Sequence, residues 1–261
     1  MMTHRSKFAL ALVLGMAAAC DSGETKPGDA RADAAPAALT ADQIVAGHYE
    51  AIGGLARLKA MTTLAVKGEY TEDGKTEAWS MVRARPDKIR KEGSHDGKPF
   101  IKMFDGSRGY VSEAGAPLAP MPAENTAKMA QWAQFDDPLI DAAARGHKLE
   151  LGAAEDVKGV RAHHIQVTLA SGDVEHRFYD PGSFLEVQRR VTFKDKDGRE
   201  KTRVVHPSDW REVHGVKFSF VSDGEVDGKR TRSVVKEIVV DGAVDPALFA
   251  PPPANVVAAA P

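Results

Sequence analysis

The chain has 261 residues, with 35 Lys and Arg against 37 Asp and Glu, a formal net charge of −2 at pH 7. That balance, without a dense basic cluster, argues against nucleic acid as a partner, and a single cysteine excludes an intramolecular disulfide. Residues 40–250 run without a linker-like interruption, which fits one large domain, and they hold no apolar run long enough for a membrane helix.

Met1 to Lys7 carries Arg5 and Lys7 and no acid. Phe8 to Ala19 is then an unbroken run of apolar and small residues, too short for a hydrocarbon core that needs roughly 20. A basic start, a short apolar stretch and small residues at its end describe a secretory signal. Ala17-Ala18-Ala19 followed by Cys20 resembles the lipobox of bacterial lipoproteins, in which the cysteine is acylated and becomes the new N-terminus. The alternative is an ordinary signal cut at an Ala-x-Ala site, with Cys20 incidental. Cys20 is the only cysteine, and an unpaired exported thiol without a use is uncommon, which favours the anchor. Residues 21–38 are rich in Ala, Asp, Gly and Pro and have no apolar period, as in a flexible tether with a reach of about 23 Å. The expected division is a signal peptide at 1–19, a tether at 20–39, a domain at 40–250 and a tail at 251–261.

The domain opens with Thr40 and, three residues on, Gln43, a capping-box pattern. Ile44, Val45, His48, Tyr49 and Ile52 follow at helical spacing until Gly53-Gly54, and Leu55–Ala60 continues as a shorter helical piece. From Met61 the period becomes two: Leu64, Val66 and Tyr70 alternate with Lys67, Glu69 and Thr71, which marks strands with one face on a core. Pro120 to Arg145 breaks this pattern. It places Met129, Trp132, Phe135 and Leu139 at helical spacing, and Asp136-Asp137-Pro138 predicts a junction of two short helices. Alternation returns at Leu185–Lys194 and at Val216–Phe220. Seven Asp-Gly pairs begin at Asp73, Asp96, Asp105, Asp197, Asp223, Asp227 and Asp241. Asp-Gly tolerates the positive φ of tight hairpin turns, so the sheet should be antiparallel. The fold class is strand-dominated α+β, with an N-terminal helix and a central helical insertion.

No catalytic motif emerges: there is no Gly-x-Ser-x-Gly elbow, His-Glu-x-x-His pair or phosphate-binding glycine loop with Lys. His163 and His164 are adjacent on a strand and point to opposite faces, so a shared metal is disfavoured. Asp195-x-Asp197-Gly198-x-Glu200 looks faintly like a calcium loop, but a hairpin explains it better. His206, Asp209 and His214 are near in sequence, which admits a carboxylate–histidine site, but solvated strand-end residues explain them better. The expectation is a protein without a catalytic residue, metal or cofactor, and not an enzyme. The apolar side chains say more. Trp79, Met81, Phe100, Met103, Phe104, Phe178, Phe193, Phe218 and Phe220 would share one face of the sheet, with Met129, Trp132 and Phe135 on the insertion. Helices that can shift off such a face would open a cavity for an acyl chain. Pattern alone fits a tight core better than a cavity.

Several segments carry a resemblance: Ile44-Val45-Ala46-Gly47-His48-Tyr49-Glu50-Ala51-Ile52-Gly53-Gly54, Thr63–Gly68, Phe104-Asp105-Gly106-Ser107-Arg108-Gly109-Tyr110, Tyr179-Asp180-Pro181, Asp209–Phe218 and Asp245-Pro246-Ala247-Leu248-Phe249. In order and spacing they resemble the Lol-type lipoprotein carriers of the Gram-negative periplasm and the outer-membrane lipoprotein-sorting proteins. The resemblance implies a strongly curved, half-open antiparallel barrel whose concave face is covered by helices. It implies a hydrophobic cavity from Trp79, Met81, Phe100, Phe104, Met129, Trp132, Phe135, Phe178, Phe193, Phe218 and Phe220. The implied partners are a lipid or an acylated protein, and the membrane through the lipid on Cys20. The alternative is an envelope sensor or interaction module with a protein partner. Asp21, directly after the anchor, resembles the enteric signal that retains a lipoprotein in the inner membrane. The expected place is the periplasmic side of the envelope, inner membrane favoured over outer.

Overall fold

The structure, a computed structural model, describes residues 38–194 and 198–252. Cys20, Asp21, the tether, the tail beyond 252 and Asp195 and Asp197 of the calcium-like loop lie outside the described residues.

Helix α1 (Ala41–Ala51) begins where its sequence signal predicts. The Thr40 hydroxyl accepts the Gln43 backbone N–H at 3.2 Å, and the Gln43 side-chain oxygen accepts the Thr40 N–H at 2.9 Å. Two amides without helical partners are thereby satisfied, a contribution of about 1 kcal/mol. Helix α2 (Leu55–Ala60) follows after Gly53-Gly54.

The chain then enters the middle of a sheet. Strands β1 (Thr63–Glu72), β2 (Lys75–Ala84), β3 (Lys88–His95), β4 (Lys98–Phe104), β5 (Gly109–Glu113) and the two-residue β6 (Ala119–Pro120) meander outward to one edge. Helix α3 (Ala123–Ala133) and a run of turns carry the chain to the opposite edge. From there β7 (Lys148–Val157), β8 (Val160–Thr168), β9 (Val174–Tyr179), β10 (Glu186–Lys194), β11 (Glu200–Val213), β12 (Val216–Val226) and β13 (Lys229–Val240) meander back. β13 pairs antiparallel with β1, with Leu64 opposite Val240 and Thr71 opposite Arg232. The result is one 13-stranded antiparallel sheet, curved but not closed into a barrel.

Five of the Asp-Gly pairs sit at hairpins between consecutive strands: those at Asp73, Asp96, Asp105, Asp227 and, at its glycine, Gly198. Asp241-Gly242 follows the last strand. Asp223-Gly224 departs from the turn expectation, because it lies inside β12. A Cβ on Gly224 would stand 2.3 Å from the Val204 carbonyl oxygen, so glycine there serves close strand approach, not a turn. The predicted second helix after Asp137 is also absent. The Arg145 guanidinium takes the Asp137 and Ile140 carbonyls at 2.7 and 3.1 Å, and Asp141 has φ +50°, which breaks a right-handed helix.

Apolar burial is concentrated where α1, α2 and the 135–140 turn meet the sheet. Ile44, Val45, Tyr49, Leu58, Phe135, Leu139 and Ile140 pack on Ile165, Val167, Tyr179, Val216 and Val240. Each fully buried aliphatic side chain contributes about 1.5–3 kcal/mol. A smaller cluster of Ile89, Phe104, Met129 and Ala133 fixes α3 over β3 and β4.

Candidate functional site: an open cavity on the concave face

Cross-strand partners share a face and strand neighbours alternate, so the register separates the two sides of the sheet. Leu64, Val66, Gly68 and Tyr70 face Arg83, Met81, Trp79 and Glu77, and these continue to Ile89, Lys91 and Gly93 and to Phe104, Lys102 and Phe100. This is the concave face, because it carries Ile89 and Phe104 against α3.

Helices fill one end of the concavity. A charged network braces them there. Arg177, 1% exposed, gives its Nη1 to both Asp137 oxygens at 3.0 and 2.8 Å and its Nη2 to Glu175 at 2.8 Å. Arg189 pairs with buried Glu186 at 2.9 and 2.7 Å. His48 on α1 meets the Phe184 carbonyl through Nδ1 at 2.9 Å, and burial pushes it below the ordinary histidine range. Every charge in this group has a close opposite partner, as buried charge requires, and nothing in its geometry exposes a reactive atom.

The other end stays open. Between β2–β5 on one side and β11–β13 on the other lies a cavity of about 810 Å³, within the roughly 300–1,000 Å³ span of small-molecule sites. Trp79, Phe100, Val205 and Val226 supply apolar wall, and Glu77, Lys91, Lys102 and Arg203 supply charge. Gly68 makes room for the Trp79 ring: a Cβ on it would meet that ring at 2.9 Å and the Val234 carbonyl oxygen at 2.6 Å. A second hollow of about 420 Å³ lies between α3 and β4–β6, bordered by Phe104, Met121 and Ala130.

The eleven apolar residues singled out in the sequence do not form a single surface. Trp79 and Phe100 line the open cavity. Trp132 lies on α3, 39% exposed, with its ring 6.0 Å from Lys91 Nζ. Met81, Phe104 and Met129 are packed together under α3. Phe135 and Phe218 belong to the main core, with the Arg85 guanidinium 4.6 Å above Phe135. Phe193 lies beneath Arg203 at 5.4 Å, and Phe220 beneath Arg211 at 4.6 Å. Phe178 is fully buried on the convex face with Val157 and Ala162, beneath the stacked ring of His164 at 4.6 Å.

The polar candidates are dispersed. His163 stacks on Phe184 at 6.1 Å, whereas His164, on the other face, meets His176 at 2.9 Å. His206 contacts the Val187 carbonyl at 3.2 Å, and Asp209 is held by Arg211 at 2.9 and 2.6 Å. Among the described residues no group of three or more His, Cys, Asp and Glu is arranged to hold a metal ion. The cationic part of the cavity wall was missed by sequence reasoning. Its only signal was Lys91 and Lys102 sharing parity with Ile89 and Phe104 in neighbouring strands.

No family model and no curated protein matches the chain. Solved structures do. A LolA superfamily protein from Nitrosomonas europaea superposes with a TM-score of 0.54 at 8% identity, covering 82% of this chain and 99% of that one. An outer membrane lipoprotein-sorting protein domain from Vibrio parahaemolyticus gives 0.51 at 10% identity, covering 79% and 94%. A DUF1329 family protein from Desulfovibrio piger gives 0.51 at 13% identity, covering 79% and 97%. At these identities the likeness speaks for architecture alone, and in architecture this chain has a Lol-like fold, a half-open antiparallel sheet plugged by helices at one end.

Proposed function

We propose that this protein is a lipid-anchored lipoprotein on the periplasmic side of the cell envelope. It binds an acylated or otherwise amphiphilic ligand in the open half of its sheet and carries or receives it without covalent chemistry. The observation that carries this reading is the cavity of about 810 Å³ walled by Trp79, Phe100 and Val205 in a fold whose other end is filled. Burying an acyl chain contributes about 0.8 kcal/mol per CH₂, so affinity needs no catalytic group. The solved proteins of like fold include one named for lipoprotein sorting, which agrees with such a ligand. Cys20 is the anchor and Asp21 the residue that keeps the protein at the inner membrane.

Native mass spectrometry of detergent-free protein, with and without added lysophospholipid, tests the binding. Retained lipid at one-to-one stoichiometry is expected; a domain that never takes up lipid and instead recovers one stoichiometric protein partner would assign it to protein interaction. Anchoring is read by labelled palmitate, which Cys20→Ser should abolish. Asp21→Ser should shift the protein between membrane fractions.

A further inference from the structure

We propose that Lys91, Lys102 and Arg203 form an anion-binding subsite of the open cavity, which selects acidic amphiphiles by holding a phosphate or carboxylate headgroup while the chain lies along Trp79 and Phe100. This deepens the amphiphile-binding reading and rests on it for the role of the chain.

The three cations come together through the curvature of the sheet. Lys91 and Lys102 are direct cross-strand partners on β3 and β4. Arg203 lies on β11, five places from β3 and six from β4 in the sheet order, and borders the same cavity. A flat sheet of strands about 4.8 Å apart would hold Arg203 about 24 Å from Lys91 and about 29 Å from Lys102. Among the described residues, neither Lys91 nor Lys102 has an ion pair, and Arg203 has only the Phe193 ring beneath it. Lys91 is half-buried, its Nζ 5.2 Å from the Trp79 ring and 6.0 Å from the Trp132 ring. Aromatic faces hold a cation in place, but they do not neutralise it.

Two of the three carboxylates on the same wall, Glu72 and Glu77, are bonded away from the three cations. Glu72 accepts the Tyr70 hydroxyl at 3.2 Å and Lys229 at 3.4 Å, and Glu77 accepts the Gly97 N–H at 2.6 Å. Glu113 stands exposed at the rim, opposite Phe100. Three cations of like sign on one cavity wall, none of them in an ion pair among the described residues, repel one another, and burial together with Lys102 and Arg203 pushes Lys91 below the ordinary lysine range. An anion seated among them relieves both burdens. Aromatic wall with positive charge beside it and across from it is a pattern that fits an acidic headgroup on an apolar chain.

The test is calorimetric titration of the protein with three probes: lysophosphatidic acid, monoacylglycerol of the same chain length, and inorganic phosphate. The acidic lipid should bind at least 10-fold more tightly than the neutral one, the factor of about one charge-assisted hydrogen bond. Lys91→Met, which keeps the unbranched apolar stem and removes the charge, should erase that difference and leave the neutral lipid unaffected. Lys91→Arg should restore it. Lys102→Ala, at an exposed position, gives an independent loss where folding is not at issue. Equal affinity for the two lipids overturns the subsite and leaves the amphiphile reading standing. Phosphate binding that Lys91→Met abolishes, with no lipid bound, keeps the subsite and removes the amphiphile reading. No binding of any probe overturns both.

Discussion

Removing the carboxylate of Asp137 should loosen the filled end of the sheet. In Asp137→Ala, Arg177 loses both Nη1 bonds, at 3.0 and 2.8 Å, and the Leu139 N–H loses its acceptor at 2.9 Å. The Arg177 side chain is only 2% exposed, whereas Asp137 is 34% exposed, so water can replace only part of the lost partner. Breaking a buried pair costs about 3–5 kcal/mol. Glu175 still holds the other edge of the guanidinium at 2.8 Å, so the lower end, about 3 kcal/mol, is expected. For a domain of this size that lowers the melting temperature by about 6–12 °C. Asp137→Asn, which keeps an acceptor for Leu139, should lose about half as much. Burial alone would raise the Asp137 carboxyl, but Arg177 and Arg189 hold it well below the usual carboxylate range. A depressed folded-state value means the stabilisation is complete above about pH 4, the unfolded value, and is lost as pH falls through the folded one. The Asp137→Ala penalty, read by urea unfolding, should therefore be constant from pH 7 to 5 and shrink in stronger acid. A penalty below about 1 kcal/mol at pH 7, or one undiminished in acid, would refute the account.

Val205→Trp should place a large ring in the open cavity and weaken lysophospholipid binding at least 10-fold. Because the ring enters free space, the melting temperature should move by no more than about 3 °C. Gly68→Ala should instead drive its methyl against Trp79 and the Val234 carbonyl. A loss of about 1–3 kcal/mol in chemical denaturation is expected, with a shift in tryptophan emission as the Trp79 ring moves. Burial holds His164 and His176, 2.9 Å apart, below the ordinary histidine range, with His176 adding to the effect on His164. The unfolded chain then binds more protons, so stability should fall as pH drops below about 6.5. His176→Asn should flatten the fall in urea midpoint between pH 7.5 and 5.5; an unchanged slope would count against the pair.

What the sequence could and could not disclose follows from the range of each signal. Thr40 and Gln43 act within one turn, so the start of α1 was legible, as were the hairpins at Asp73, Asp96 and Asp227. Asp223-Gly224 carries the same local signal, yet the reason for its glycine is the Val204 carbonyl on the neighbouring strand. The turns after Asp137 are decided by Arg145 and by Arg177, forty residues away along the chain. Alternation gives two faces but not which one is concave, and so Phe178 could be grouped with Phe100 although the sheet separates them. Nothing near Lys91 or Lys102 in the sequence ties them to Arg203; the curvature of the sheet brings all three to one cavity.

A sheet that does not close has two free edges, and each is a template for pairing with another chain. At one edge β6 is two residues long and ends in Pro120, too short to recruit a partner strand. At the other, β7 is ten residues long and carries Lys148, Glu150, Glu155 and Asp156, and its register slips between Gly152 and Glu155. Charge and a bulge are the means by which natural edge strands resist growth into fibrils. Openness on the concave side is thus matched by refusal at the rims, and neither edge offers a long, flat, uncharged strand for another chain to extend.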